Sequence, residues 1–208
     1  GTTGVELARL KFSATNEAVD LRQVALQLSQ VASNTPTDLV GRQVTLWDAD
    51  TLLQVGTAQF PSGDNATGTI TAGAFRIPAN GSKVMIVKGD LAAITSSGPL
   101  TNSGDLIAVD HDAQNVASTN GTYGVGVSSN VNVQPASGGT DTASVGVRIM
   151  KSYPKVAFVD IPTSFKTLTT GSNKVIYRFS VMAQDGDVAL SKVSFAIGSS
   201  TVSATSST

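Results

Sequence analysis

Alternation with a period of two opens the chain and narrows its fold to strands. Ala8, Leu10, Phe12 and Ala14 are apolar, while Arg9, Lys11 and Ser13 between them are polar. Successive strand side chains point to opposite faces, so this pattern makes one buried face and one wet face. A turn at Asn16-Glu17 follows. Val19 and Leu21 resume the alternation, and Val24, Leu26 and Leu28 continue it with the parity shifted. One parity shift inside a strand predicts a β-bulge or a strand that changes sheet. The stretch 21–28 also admits a short helix.

The same irregular pattern returns near the other end. Shifted by 169 positions, Leu10, Phe12 and Ala14 fall on Phe179, Val181 and Ala183 without a gap. Val19 and Leu21 fall on Val188 and Leu190, and Val24, Leu26 and Leu28 fall on Val193, Phe195 and Ile197. Arg9 falls on Arg178, and the turn Thr15-Asn16-Glu17 falls on Gln184-Asp185-Gly186. The parity shift sits before the second strand in both places. Chance alternation does not reproduce an irregularity. The chain therefore reads as one repeat unit, residues 1–162, followed by a linker and the opening hairpin of a second, residues 163–208. Pro154 and Pro162 flank the junction and stiffen it.

Between the two ends, short strand patterns alternate with turns. Residues 43–47 and 52–60 read as a hairpin around Asp48-Ala49-Asp50. Residues 61–65 are a loop. Stretches 67–77, 83–88, 106–109, 123–133, 145–150 and 155–159 complete the set. Val84-Met85-Ile86-Val87 is apolar on both faces, as in a central core strand. Turn signals every 8–15 residues with short strands predict an all-β, Ig-like β-sandwich. The C-terminal hairpin is extra to it. A hairpin alone cannot bury its apolar face. Its residues Phe179, Val181, Val188, Leu190, Val193, Phe195 and Ile197 must pack in cis, belong to a second domain, or be donated to a neighbouring subunit.

A family resemblance enters here. The run Tyr177-Arg178-Phe179-Ser180-Val181-Met182-Ala183, then Gly186-Asp187-Val188-Ala189-Leu190-Ser191-Lys192-Val193-Ser194-Phe195, resembles the opening hairpin of tandem Ig-like repeats in large bacterial surface and S-layer-like or filament-forming proteins. Arg148-Ile149-Met150-Lys151-Ser152-Tyr153-Pro154, leading to residues 156–159, is similar to the closing strand and linker there. The resemblance implies a secreted structural protein of the cell surface, self-associating into an array or a pilus-like fibre. It carries no catalytic residues.

Composition excludes several other classes. Charged residues are 14% of the 208, and the net charge is −1. No basic stripe exists to hold nucleic acid. No apolar run reaches the roughly 18–20 residues of a membrane-spanning helix. Cysteine is absent, which removes disulfides, thiol nucleophiles and Cys-based zinc sites. The chain opens on Gly1 with no signal-peptide pattern, so it reads as a processed or excised piece.

The chemistry that remains is sparse. His111, the one histidine, lies in Asp110-His111-Asp112. Asp110 and Asp112 are candidate calcium ligands in an acidic loop, the only cofactor suggested, although calcium wants six to eight oxygens. No nucleophile elbow supports His111 as a catalytic base. The only two glutamates, Glu6 and Glu17, lie near the N-terminal strand. The expectation is a protein that is not an enzyme. Trp47 and Tyr123 are candidate sugar-stacking rings. They carry the alternative reading, an adhesin-type module that binds a glycan or a host surface through its loops. Asn65, Asn80 and Asn120 each begin an Asn-x-Ser/Thr triplet.

Overall fold

The computed structural model describes residues 1–29, 35–94, 103–113, 120–135, 144–165, 171, 173–196 and 198. The chain divides into two compact units, Gly1–Met150 and Lys151–Thr208. The strand at 153–158, which closes the first repeat by sequence, thus groups with the C-terminal unit.

The first unit holds β1 (Val5–Ala14), β2 (Val19–Leu28), β3 (Leu39–Asp48), β4 (Gln54–Gln59), β5 (Asn65–Ile70) and β6 (Arg76–Ile77). It continues with β7 (Gly81–Leu91), β8 (Leu106–Ile107), β9 (Val109–His111), β10 (Tyr123–Gly126), β11 (Asn132–Val133) and β12 (Val147–Arg148). Ten of these strands form one antiparallel sheet, ordered β1-β7-β3-β4-β5-β2-β10-β11, with β6 and β9 also on β2. β8 and β12 pair separately. The sheet curls, so the expected all-β, sandwich-like fold holds. Phe12 of β1 meets Phe75 and His111 edge to face, each at 6.1 Å between centroids.

β2 is the hub. One edge carries β6 at Val19 and Asp20, then β5 at 23–27. The other carries β10 at 19–23, then β9 at 26–28. The parity shift read from the sequence is a bulge: Gln23 faces Tyr123 and Leu21 faces Gly124, leaving Arg22 without an opposite number on β10. The residues 21–28 are strand throughout, and the helical alternative falls away.

Alternation places the core as expected. Leu26, Leu28, Val44, Leu46, Phe60, Phe75, Met85, Val87 and Val109 are fully buried. Each such side chain contributes roughly 1.5–3 kcal/mol by leaving water. Gly68 lies between Leu46 and Val24, whose methyls are 2.8 Å from where a Cβ would stand.

One expectation needs correcting. β1 and β2 do not form a hairpin. β1 pairs with β7, and β2 pairs elsewhere. Asn16, at φ 73°, turns the chain from one part of the curled sheet to another. Alternation shows which side chains share a face, not which strand lies alongside.

In the second unit, β13 (Tyr153–Phe158) pairs antiparallel with β14 (Phe179–Gln184). Residues 187–196 form no strand. The expected hairpin between β14 and the stretch that follows is therefore absent, as it is between β1 and β2. β2 is held by partners on both edges, and its counterpart has none of them among the described residues.

Candidate functional site

The loop residues singled out by sequence are mostly structural. Asp110 and Asp112 are buried rather than solvated. Asp110 lies on β9, and its Oδ1 accepts a hydrogen bond from the Ser144 N–H at 2.6 Å. The Asp112 N–H donates to the Ala25 carbonyl. The acidic loop expected here is a strand end docked on β2. Among the described residues no group of three His, Cys, Asp or Glu side chains is gathered to hold a metal. His111 Nε2 is hydrogen-bonded to Thr122 Oγ1 at 2.8 Å, and the Ala25 N–H also donates to that hydroxyl.

Trp47 and Tyr123 are not brought together; β4, β5 and β2 lie between their strands in sheet order. Trp47 is half-buried. Its Nε1–H donates to Thr45 Oγ1 at 2.8 Å, and Lys88 Nζ sits 4.4 Å over its ring. The lysine covers a ring face that a sugar would need. Tyr123 lines a groove described below.

The structure draws attention to an edge instead. Backbone groups of alternate strand residues point to opposite sides. The Ala49 N–H donates to the Val84 carbonyl at 3.0 Å, so even-numbered residues of β7 turn their backbone toward β3. Odd-numbered residues turn toward β1, as the Leu91 N–H donating to the Thr2 carbonyl also shows. Met85 faces Leu10, Lys83 faces Phe12 and Gly81 faces Ala14. Leu10, Phe12 and Ala14 therefore spend their backbone groups on β7. Arg9, Lys11 and Ser13 aim theirs the other way, where no strand lies among the described residues.

Beside this open edge is a groove of about 460 Å³. Val19, Leu21, Ile77, His111, Tyr123 and Val133 line it opposite β1. Its floor is apolar, and its β1 rim carries Arg9 and Lys11. An unpaired edge beside apolar surface is a template for another strand.

β14 is the offset counterpart of β1, and its edges are used the other way round. The Val159 N–H donates to the Arg178 carbonyl at 3.0 Å. In that register Ser180, Met182 and Gln184 spend their backbone groups on β13. They correspond to Lys11, Ser13 and Thr15. β13 thus covers on β14 the edge that is open on β1. Pro154 faces Ala183 at a non-bonded position, so its missing N–H costs no ladder bond. Two backbone signatures support the offset. Gly4 and Asn173 have φ of 65° and 59°, and Asn16 and Asp185 have 73° and 59°. Each pair is 169 positions apart.

Most of the residues expected to carry assembly are exposed in this unit. Val181, Leu190, Val193 and Phe195 are exposed, and Phe179 and Val188 are half-buried. Ile197 lies outside the described residues. Phe179, Tyr177 and Phe195 lie within 6.1 Å of one another by ring centroid, with Phe158 5.8 Å from Tyr177. Val156 and Phe158 of β13 are 60% and 62% exposed. Sequence reasoning passed over β13 as a mere closing strand; its period-two pattern, Val156 and Phe158 against Lys155 and Ala157, was the available signal.

Carboxylates hold the first unit's corners. Glu17 accepts from the Ser129 hydroxyl and from the Ser129 and Ser128 N–H groups, which keeps its carboxyl below the usual range. This ties the β1–β2 corner to the β10–β11 turn. Arg76 binds Asp20 at 2.7 Å and lowers its pKa. Burial pushes the Asp48 carboxyl up, but Lys83 at 2.7 Å and the Asp50 N–H outweigh it and leave it lowered.

Compared with known families, curated proteins and solved structures, the chain matches none. No helix among the described residues is long and apolar enough to cross a membrane.

Proposed function

We propose that this chain is an extracellular structural module of a repetitive cell-surface array or filament, joined through β-strand edges, with a mechanical rather than a catalytic role. The open outer edge of β1 carries this reading. A ten-residue edge strand whose outer side meets no strand among the described residues, beside an apolar groove, is an aggregation hazard unless a partner covers it. The exposed aromatic cluster of the second unit supports the same view. The tandem Ig-like resemblance supplies the setting. The adhesin alternative has less support, because Lys88 covers one face of the Trp47 ring and three strands lie between Trp47 and Tyr123 in sheet order. Sedimentation of the purified chain over a concentration series, with electron microscopy of the heavy fraction, tests the proposal. Filaments or lattices are expected. Monomers at every concentration would contradict it.

A further inference from the structure

We infer that the open edge of β1 accepts the β13 strand of a second copy of this chain, antiparallel and in one register. The inference rests on the assembly reading above, and it names the donor, the acceptor and the alignment. The β13–β14 ladder is the template. β14 repeats β1 at an offset of 169, and β13 lies on the edge of β14 that on β1 meets no strand among the described residues. Carrying the ladder back by that offset sets Pro154 opposite Ala14, Lys155 opposite Ser13, Val156 opposite Phe12, Ala157 opposite Lys11 and Phe158 opposite Leu10.

Side-chain chemistry agrees with this alignment. Residues opposite one another in an antiparallel pair share a face. Val156 and Phe158 would enter on the face of Phe12 and Leu10, toward the groove lined by Leu21, Ile77 and Tyr123. Lys155 and Ala157 would stay on the wet face beside Ser13 and Lys11. The donor's two large apolar side chains, exposed where β13 meets β14, would be covered. The ladder would also satisfy the backbone groups of Arg9, Lys11 and Ser13. β13 must leave β14 to make this ladder, because Tyr153, Lys155 and Ala157 spend the same backbone groups on either strand. Among the described residues β14 has no buried core behind it, so β1 is the better acceptor.

The stretch 187–196, by contrast, is not the donor. It corresponds to β2, a central strand, and β14 corresponds to the acceptor itself.

The absence of native cysteine allows a direct test. A synthetic peptide of residues 151–162 carries Lys155→Cys as an activated disulfide. It is offered to the full chain bearing Ser13→Cys or, as an exposed-loop control, Ser62→Cys. Capture at position 13 is expected at least tenfold faster than at position 62, and Phe158→Ser in the peptide should abolish the preference. Moving the peptide cysteine to Ala157→Cys should shift the preference to chain Lys11→Cys. Equal rates at the two chain positions, or a preference unmoved by the shifted cysteine, would overturn the inference. Sedimentation of the unlabelled chain reads the assembly proposal separately. A chain that assembles but captures without register overturns the inference alone. A chain that stays monomeric at every concentration overturns self-assembly and, with it, a second copy as the donor, even where the peptide is captured in register.

Discussion

β1 and β14 share a pattern and differ in surroundings. In β1 the apolar alternates Leu10 and Ala14 are buried and Phe12 is packed against Phe75. In β14 their counterparts Phe179, Val181 and Ala183 lie on a two-stranded ladder with Val181 and Ala183 exposed. Among the described residues, β1 has its inner edge filled and its outer edge open, and β14 has the reverse. The pattern of a strand defines which face is apolar. Burial of that face depends on neighbours, and the two ends of this chain have different ones.

The largest contrast should come from truncating one aromatic ring in each unit. Phe75→Ala removes a fully buried ring and should destabilise the first unit by about 3–5 kcal/mol in denaturant melts. Phe195→Ala removes an exposed ring and should change stability by less than about 1 kcal/mol. Comparable losses from both would mean that the second unit has a core of its own.

A smaller effect is expected at Asp48→Asn. Asp48 is buried, and the change strands Lys83, which itself is only 16% exposed. Breaking a buried pair from one side costs about 3–5 kcal/mol at full burial, and this half-sheltered pair should lose about 2–3. Asp187→Asn, on an exposed residue of the second unit, should be near neutral. Gly68→Val sharpens the same contrast. The added methyls meet Leu46 and Val24, and overpacking should cost about 1–3 kcal/mol.

Acid should separate the units more gently. Glu6, Glu17, Asp20 and Asp48 all have lowered pKa values, and all lie in the first unit. For Glu6 the cause is the Arg9 hydrogen bond; for the others it is the partners already described. A carboxyl lowered by folding binds fewer protons in the native state, so its stabilisation is complete above the ordinary carboxylate range. It is lost as the pH falls through that range and below. Urea midpoints of the first unit should therefore fall between neutral pH and about pH 3. A midpoint that rises on acidification would contradict the assignment.

The parts of this fold legible in the sequence were those that period and parity encode. The faces of β1 followed from alternation, the central place of β7 from a run apolar on both faces, and the bulge at Arg22 from one broken parity. Partnership was not encoded in the same way. The turn at Asn16 suggested a hairpin, but the two flanking strands go to different neighbours. Asp110 and Asp112 looked solvated because a pair of aspartates usually is. Ser144, distant in sequence, holds one of them inside. The open edge could not be seen at all without the register of β7, since its signal lies in which way Arg9, Lys11 and Ser13 aim their amides.

Through-hydrogen-bond NMR couplings on the monomeric chain report that aim one amide at a time. The amides of Leu10 and Phe12 should couple to the carbonyls of Met85 and Lys83, while those of Lys11 and Ser13 couple to none. In β14 the amides of Ser180 and Met182 should couple to Ala157 and Lys155. Couplings to β13 from Val181 and Ala183 instead would put both strands in the same phase, and β13 would then no longer show which strand the first edge is built to receive.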